Sequence, residues 1–122
     1  MDEEKIIAVQ IEYGASRYEI EFETKGFEYD YEVSKKGVIL ESNWEKFLQG
    51  EQDRSKDRIS KSKAKKIAVN HSGIKKATDV KIKLKNDDGY RCYKVRFKDG
   101  NSKYGYKIDA YSGELLEREY DR

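Results

Sequence analysis

One histidine, one cysteine and a crowd of carboxylates are what this 122-residue chain offers to chemistry. His71 falls on a helical stripe with Ala64, Ile67 and Ala68. That spacing predicts a ring packed against a core rather than a ligand or general base. No second histidine or cysteine stands at zinc-ligand spacing. A serine nucleophile would need a positioned base, and an inward-turned histidine does not supply one. Cys92 is the sole cysteine, which excludes an intrachain disulfide. It begins a strand on the face opposite Tyr93, and Arg91 and Lys94 beside it are the only features that could lower a thiol pKa. Asn86-Asp87-Asp88-Gly89 lacks the alternating ligands and late glutamate of a calcium loop and reads as a hairpin turn. Accordingly no catalytic residue, cofactor site or metal ligand is assigned.

The carboxylates are more informative because they repeat with their sign reversed. Tyr18, Ile20, Phe22, Tyr29, Tyr31 and Val33 recur seventy-five positions later as Tyr93, Val95, Phe97, Tyr104, Tyr106 and Ile108. Between them, Glu19, Glu21, Glu23, Glu28 and Glu32 become Lys94, Arg96, Lys98, Lys103 and Lys107. An internal repeat governs architecture, and this one predicts two similar sheets with opposite outer faces. Like charges across a strand pair are destabilising. The acidic face is therefore either a solvated surface that resists aggregation or one kept for a basic partner. Glu19, Glu21, Glu23, Glu28, Asp30 and Glu32, with Lys94, Arg96 and Lys98, are the candidate partner-binding residues. The partner is the opposite half, a second copy or another protein.

Net charge is only +2, unevenly spread. Residues 1–53 carry −8, residues 54–76 carry +8 and the remainder +2. The basic stretch sits beside an acidic half that repels phosphates, which argues against nucleic acid. No apolar run is long enough to span a membrane, and Met-Asp-Glu-Glu-Lys has no signal-peptide features.

Alternating apolar positions predict strands at 7–13, 18–23, 27–34 and 38–41. Asn43 as a cap, with Trp44, Phe47 and Leu48 at i, i+3 and i+4, predicts a short helix. After a polar linker, Ser60 reads as the N-cap of a helix that ends at Gly73, with Ile59 at the staple position. Strands follow at 79–85, 91–98, 103–109 and 114–119. The expected fold class is α+β: two four-stranded antiparallel meanders, residues 1–50 and 57–122, the second with its helix packed on one sheet face. Each meander leaves edge strands, and an edge can pair with an extended peptide. The last strand, with Leu115, Leu116 and Tyr120, is the edge expected to do so.

The run Ile59 to Gly73, the strand Tyr93-Lys-Val-Arg-Phe97 and the segment Tyr104 to Glu117 together resemble a PepSY domain. Residues 6–41 resemble the strand half of a second copy that lacks its leading helix and has a third turn one residue shorter. The resemblance implies an extracytoplasmic bacterial module, extracellular or in the cell envelope, with no catalytic residues. It implies a role in modulating or inhibiting a secreted or envelope peptidase. The alternative is a structural or ligand-binding envelope module that self-associates through its complementary charged sheets.

Overall fold

The computed structural model describes residues 5–122. Four strands come first: β1 (Ala8–Tyr13), β2 (Arg17–Glu23), β3 (Phe27–Ser34) and β4 (Ile39–Lys46). Helix α1 (Lys61–Ser72) precedes β5 (Thr78–Asp87), β6 (Tyr90–Asp99), β7 (Ser102–Asp109) and β8 (Leu115–Asp121). The secondary structure is mostly antiparallel sheet with one helix, an α+β fold. All eight strands form one sheet, ordered β1-β2-β3-β4-β8-β7-β6-β5. The expectation of two separate sheets is thereby corrected: the last strands of both halves pair antiparallel, with Ser42 opposite Tyr120 and Trp44 opposite Arg118.

The pairing explains a second correction. Residues 43–46 are strand, not the start of a short helix. A helix from 43 to 48 would be under two turns, too short to repay its nucleation, whereas a strand there gains ladders on both sides. Trp44 pairs with Tyr29 across one ladder and Arg118 across the other. Asn43 caps nothing. Its Oδ1 accepts from the Tyr120 N–H at 3.1 Å.

Helix α1 forms where its local signals put it. Ser60 has extended backbone and its hydroxyl accepts from the Lys63 N–H, while Gly73 ends the helix at φ 75°. Two bonds set its start on the sheet: Ile59 N–H donates to the Ala110 carbonyl at 2.8 Å, and the Tyr93 hydroxyl donates to the Ile59 carbonyl at 2.6 Å. Ala64 and Ala68 are fully buried against Tyr93, Val95, Phe97, Tyr106 and Ile108. Their small side chains let the helix lie close to the sheet. Gly113 does the same from below, since a Cβ there would lie 3.2 Å from Ile67 Cδ1.

No such core closes over the first half. Between residues 5 and 57 only Thr24 and Ser42 are buried, and both are polar. Val9, Ile11 and Tyr13 of β1 remain between 46% and 76% exposed. The connecting segment 47–60 runs to the start of β6, one strand in from the far edge, and is fastened there. Gln52 bonds both the N–H and the carbonyl of Arg91, at 2.8 and 2.7 Å.

Candidate interaction surface

The register decides where each charge lies. One face of the sheet takes Glu19, Glu32, Glu41, Asp121, Lys103 and Lys98 in a single cross-strand row. A second row takes Glu23, Glu28, Glu45, Glu117, Lys107 and Lys94. Between them run Glu21, Asp30, Asn43, Glu119, Gly105 and Arg96. The acidic and basic candidates thus share one continuous polar face, acidic over β1–β4 and β8, basic over β7–β5. They are not the outer faces of two lobes turned toward each other. A shallow groove of about 830 Å³ crosses the boundary, with Glu41, Glu119 and Asp121 among its acidic lining and Lys81, Arg96, Lys98 and Lys103 among its basic lining.

The boundary between β8 and β7 is closed by Lys107, only 7% exposed. Its ammonium pairs with Asp87 at 2.5 Å and Glu117 at 3.6 Å. Burial disfavours that ammonium, but the Asp87 hydrogen bond and the Glu117 charge outweigh it and raise the Lys107 pKa. The hydrogen bond from Lys107 lowers Asp87 in turn. Glu117 is pushed up by burial, with Glu119 and Glu45 adding to the rise and Lys107 opposing it. Farther out, desolvation and the neighbouring Glu12 and Glu32 raise Glu19. Desolvation, Glu32 and Asp121 raise Glu41. The acidic half is electrostatically self-repulsive, and the repulsion is offset at its basic boundary and, within β2 and β3, by the Arg17–Glu32 pair at 2.8 Å.

The three apolar candidates fall elsewhere. β8 is paired on both sides from Glu117 to Asp121, so Tyr120 does not lie on an open edge. Leu115 and Leu116, just before the β4 ladder, are turned to other contacts, Leu115 against the core. Leu116 is 2% exposed. The edge expectation for this strand is overturned because β4 covers it. The edges are β1 and β5, and they differ. β5 carries Lys81, Lys83 and Lys85 and a register break between Thr78 and Lys81, with Asp79 at φ 52°. Lysines and bulges are how natural edges avoid pairing. β1 carries neither, and all six of its residues are exposed. Both its alternation and its place as the first strand of a meander, hence an edge, were readable in the sequence; what had no local signal was the β4–β8 pairing that takes β8 off the edge.

The solitary reactive groups are accounted for. His71 was expected to pack inward; the residue is exposed as a whole at the end of α1, but its ring leans inward and is partly buried. Its Nδ1 lies 3.0 Å from the Tyr106 hydroxyl, and its edge meets Trp44. Burial of the ring and the Arg118 charge lower its pKa. Cys92 is fully buried, and burial raises its thiol pKa. Asp88 and Gly89, at φ 50° and 81°, form the β5–β6 turn. Among the described residues no three His, Cys, Asp or Glu side chains converge as a metal set. No helix among them is long and apolar enough to cross a membrane.

Comparison with known proteins places this arrangement. The chain is 32% identical over 69 residues to the uncharacterized protein Spy1430 of Streptococcus pyogenes serotype M6, covering 55% of this chain and 53% of that protein. The match thus spans about half the length of that relative. A solved candidate lipoprotein, CD1622 of Clostridium difficile 630, superposes over 97% of this chain and 83% of its own, at TM-score 0.46 and 23% identity. Residues 58–119, from just before α1 to within β8, match the family described as the peptidase propeptide and YPEB domain. The chain belongs to the PepSY family.

Proposed function

We propose that this chain is a non-catalytic, extracytoplasmic interaction module that modulates a secreted or envelope peptidase, with the first half as a second PepSY-like repeat. The family supports the class of partner. The observation that carries the reading is the asymmetry of the sheet edges: β5 is guarded and β1 is open. An exposed, unguarded edge with alternating Val9, Ile11 and Tyr13 fits recognition by an extended segment of another protein, whose main chain would supply the hydrogen bonds. The acidic candidates of β2 and β3 lie next to it and would favour a basic contact surface.

The test is to incubate the chain with secreted peptidases of its own organism and measure both complex formation and peptidase activity. Complex formation or an activity change that is lost in Val9→Lys/Ile11→Lys supports the reading. Unchanged behaviour of that variant rejects β1 as the site.

One observation favours self-association as a second reading. The β1 sequence is nearly symmetric about Gln10, so a two-fold pairing would set Val9 against Ile11 and Glu12 against Ala8 with no like charges opposed. A dimer that dissociates in the same variant, with no peptidase complex, selects it.

A further inference from the structure

One helix cannot cover this sheet. Strands lie about 4.8 Å apart and a helix with its side chains is about 10 Å across, so a helix shields two or three strands. Helix α1 packs on β6 and β7. The apolar face nevertheless continues past it, interrupted at β8 by Arg118, which lies opposite Trp44 on one side and Tyr106 on the other. Trp44 meets the His71 ring at 6.3 Å on one side and Phe27 at 5.5 Å on the other. Beyond them lie Ile20, Phe22 and Tyr31, none fully buried. Among the described residues no helix packs over β2 or β3.

The devices that hold α1 are repeated on the open half. The Tyr93 hydroxyl bonds the Ile59 carbonyl where the helix begins, and the Tyr106 hydroxyl meets His71 in its last turn. Their counterparts in the repeat are Tyr18 and Tyr31. Like the first pair, these stand on the second and third strands from a sheet edge. They share the apolar face, Tyr18 opposite Val33 and Tyr31 opposite Ile20.

Charge refines the occupant. Lys35 lies with its ammonium 4.3 Å from the Tyr18 ring centre, and Lys36 follows it in the same turn. The corresponding turn under α1, residues 110–113, contains no cation. By the repeat, a helix over β2 and β3 begins at the Tyr18 end. Its N-terminal partial positive charge would meet those lysines unfavourably unless carboxylates stood in its first turn. Helix α1 has none there.

We propose that the open apolar face of β2 and β3 is a docking site for an amphipathic helix of a partner protein. The helix is about three turns long, has small residues at i and i+4 toward the sheet, and has carboxylates in its first turn facing Lys35 and Lys36. The Tyr18 and Tyr31 hydroxyls bond its two ends. This goes beyond peptidase modulation through β1, and either can fail alone.

The probe is a synthetic peptide copying residues 57–75 with Lys61→Glu and Lys63→Glu, kept helical by a lactam bridge on its solvent side. It is titrated into the whole chain and followed by amide NMR and by Trp44 fluorescence. The expected result is one-to-one binding with shifts on β2 and β3 and none on β5. The acidic peptide should bind severalfold more tightly than the unmodified one at low salt, and the advantage should vanish near ~0.5 M salt. Tyr31→Phe, which removes only a hydroxyl, should weaken binding about fivefold. Lys83→Glu, on the other face, should leave it unchanged. Three results would overturn the proposal: no shifts at ~1 mM peptide, shifts confined to β1, or a free chain already dimeric with this face protected from exchange.

Discussion

Lys107 is the residue whose surroundings are most constrained. It sits where the acidic and basic halves of the polar face meet, with Asp87 on one side and Glu117 on the other. Replacing it by methionine keeps its apolar stem but leaves Glu117 half-buried among Glu119 and Glu45. Removing one partner of a buried pair costs about 3 kcal/mol or more, and the exposure of Asp87 reduces this, so a loss of about 2 kcal/mol is expected in urea unfolding. Lys107→Met/Glu117→Gln should recover much of that loss. His71→Ala gives up one bond to Tyr106 and the Trp44 contact at an exposed site. It should cost about 1 kcal/mol and leave partner binding unaltered. The identity of the lone histidine and cysteine was plain in the sequence. Their surroundings were not: helical spacing placed His71 on the inner face but could not show that its ring meets Tyr106 and Trp44 at the rim of the helix-covered core, leaving the residue exposed as a whole.

At the level of elements, local chemistry was legible and long-range pairing was not. Ser60 and Gly73 marked the ends of α1 because caps act within a few residues. Asn43, Trp44, Phe47 and Leu48 gave an equally local helical signal, and pairing of β4 with a strand more than seventy residues away overrode it. The same pairing took Tyr120, and the strand as a whole, off the edge. The packing of α1 supplies its own test. Gly113 combines φ 77° with a 3.2 Å approach to Ile67, so Gly113→Ala adds both backbone strain and a clash. A loss of about 1–2 kcal/mol is expected in denaturant unfolding. Gly37, at φ 88° with open space around it, should lose less on the same substitution.

Across the whole molecule, the sheet is one continuous body with an apolar face half covered by α1 and a polar face divided by sign. The division has a pH signature. Glu19, Glu41 and Glu117 have raised pKa values in the folded chain, so the folded state takes up protons before the unfolded one as pH falls. Their repulsion is therefore relieved, and these three groups add stability, as pH falls from neutral toward about 5. The lowered pKa of His71 opposes this as pH falls through the unfolded histidine value, and the three carboxylates together are expected to outweigh it. Asp87 and Asp53 are lowered, so their contribution is present above the unfolded carboxylate pKa and is lost as pH falls through their own values. Stability should pass through a maximum on the acid side of neutrality and then decline. Thermal melts from pH 8 to pH 3 will show whether it does.

The central claim is that the first half of the sheet is the recognition surface of a PepSY module that acts on a peptidase. Amide hydrogen exchange of the whole chain, alone and with an active-site-inhibited secreted peptidase of its own organism, tests it most directly. The account predicts slowed exchange in β1 and its neighbours β2 and β3, and unchanged exchange along the lysine-guarded β5. Protection confined to β5 and β6, or none with any such peptidase, would contradict it.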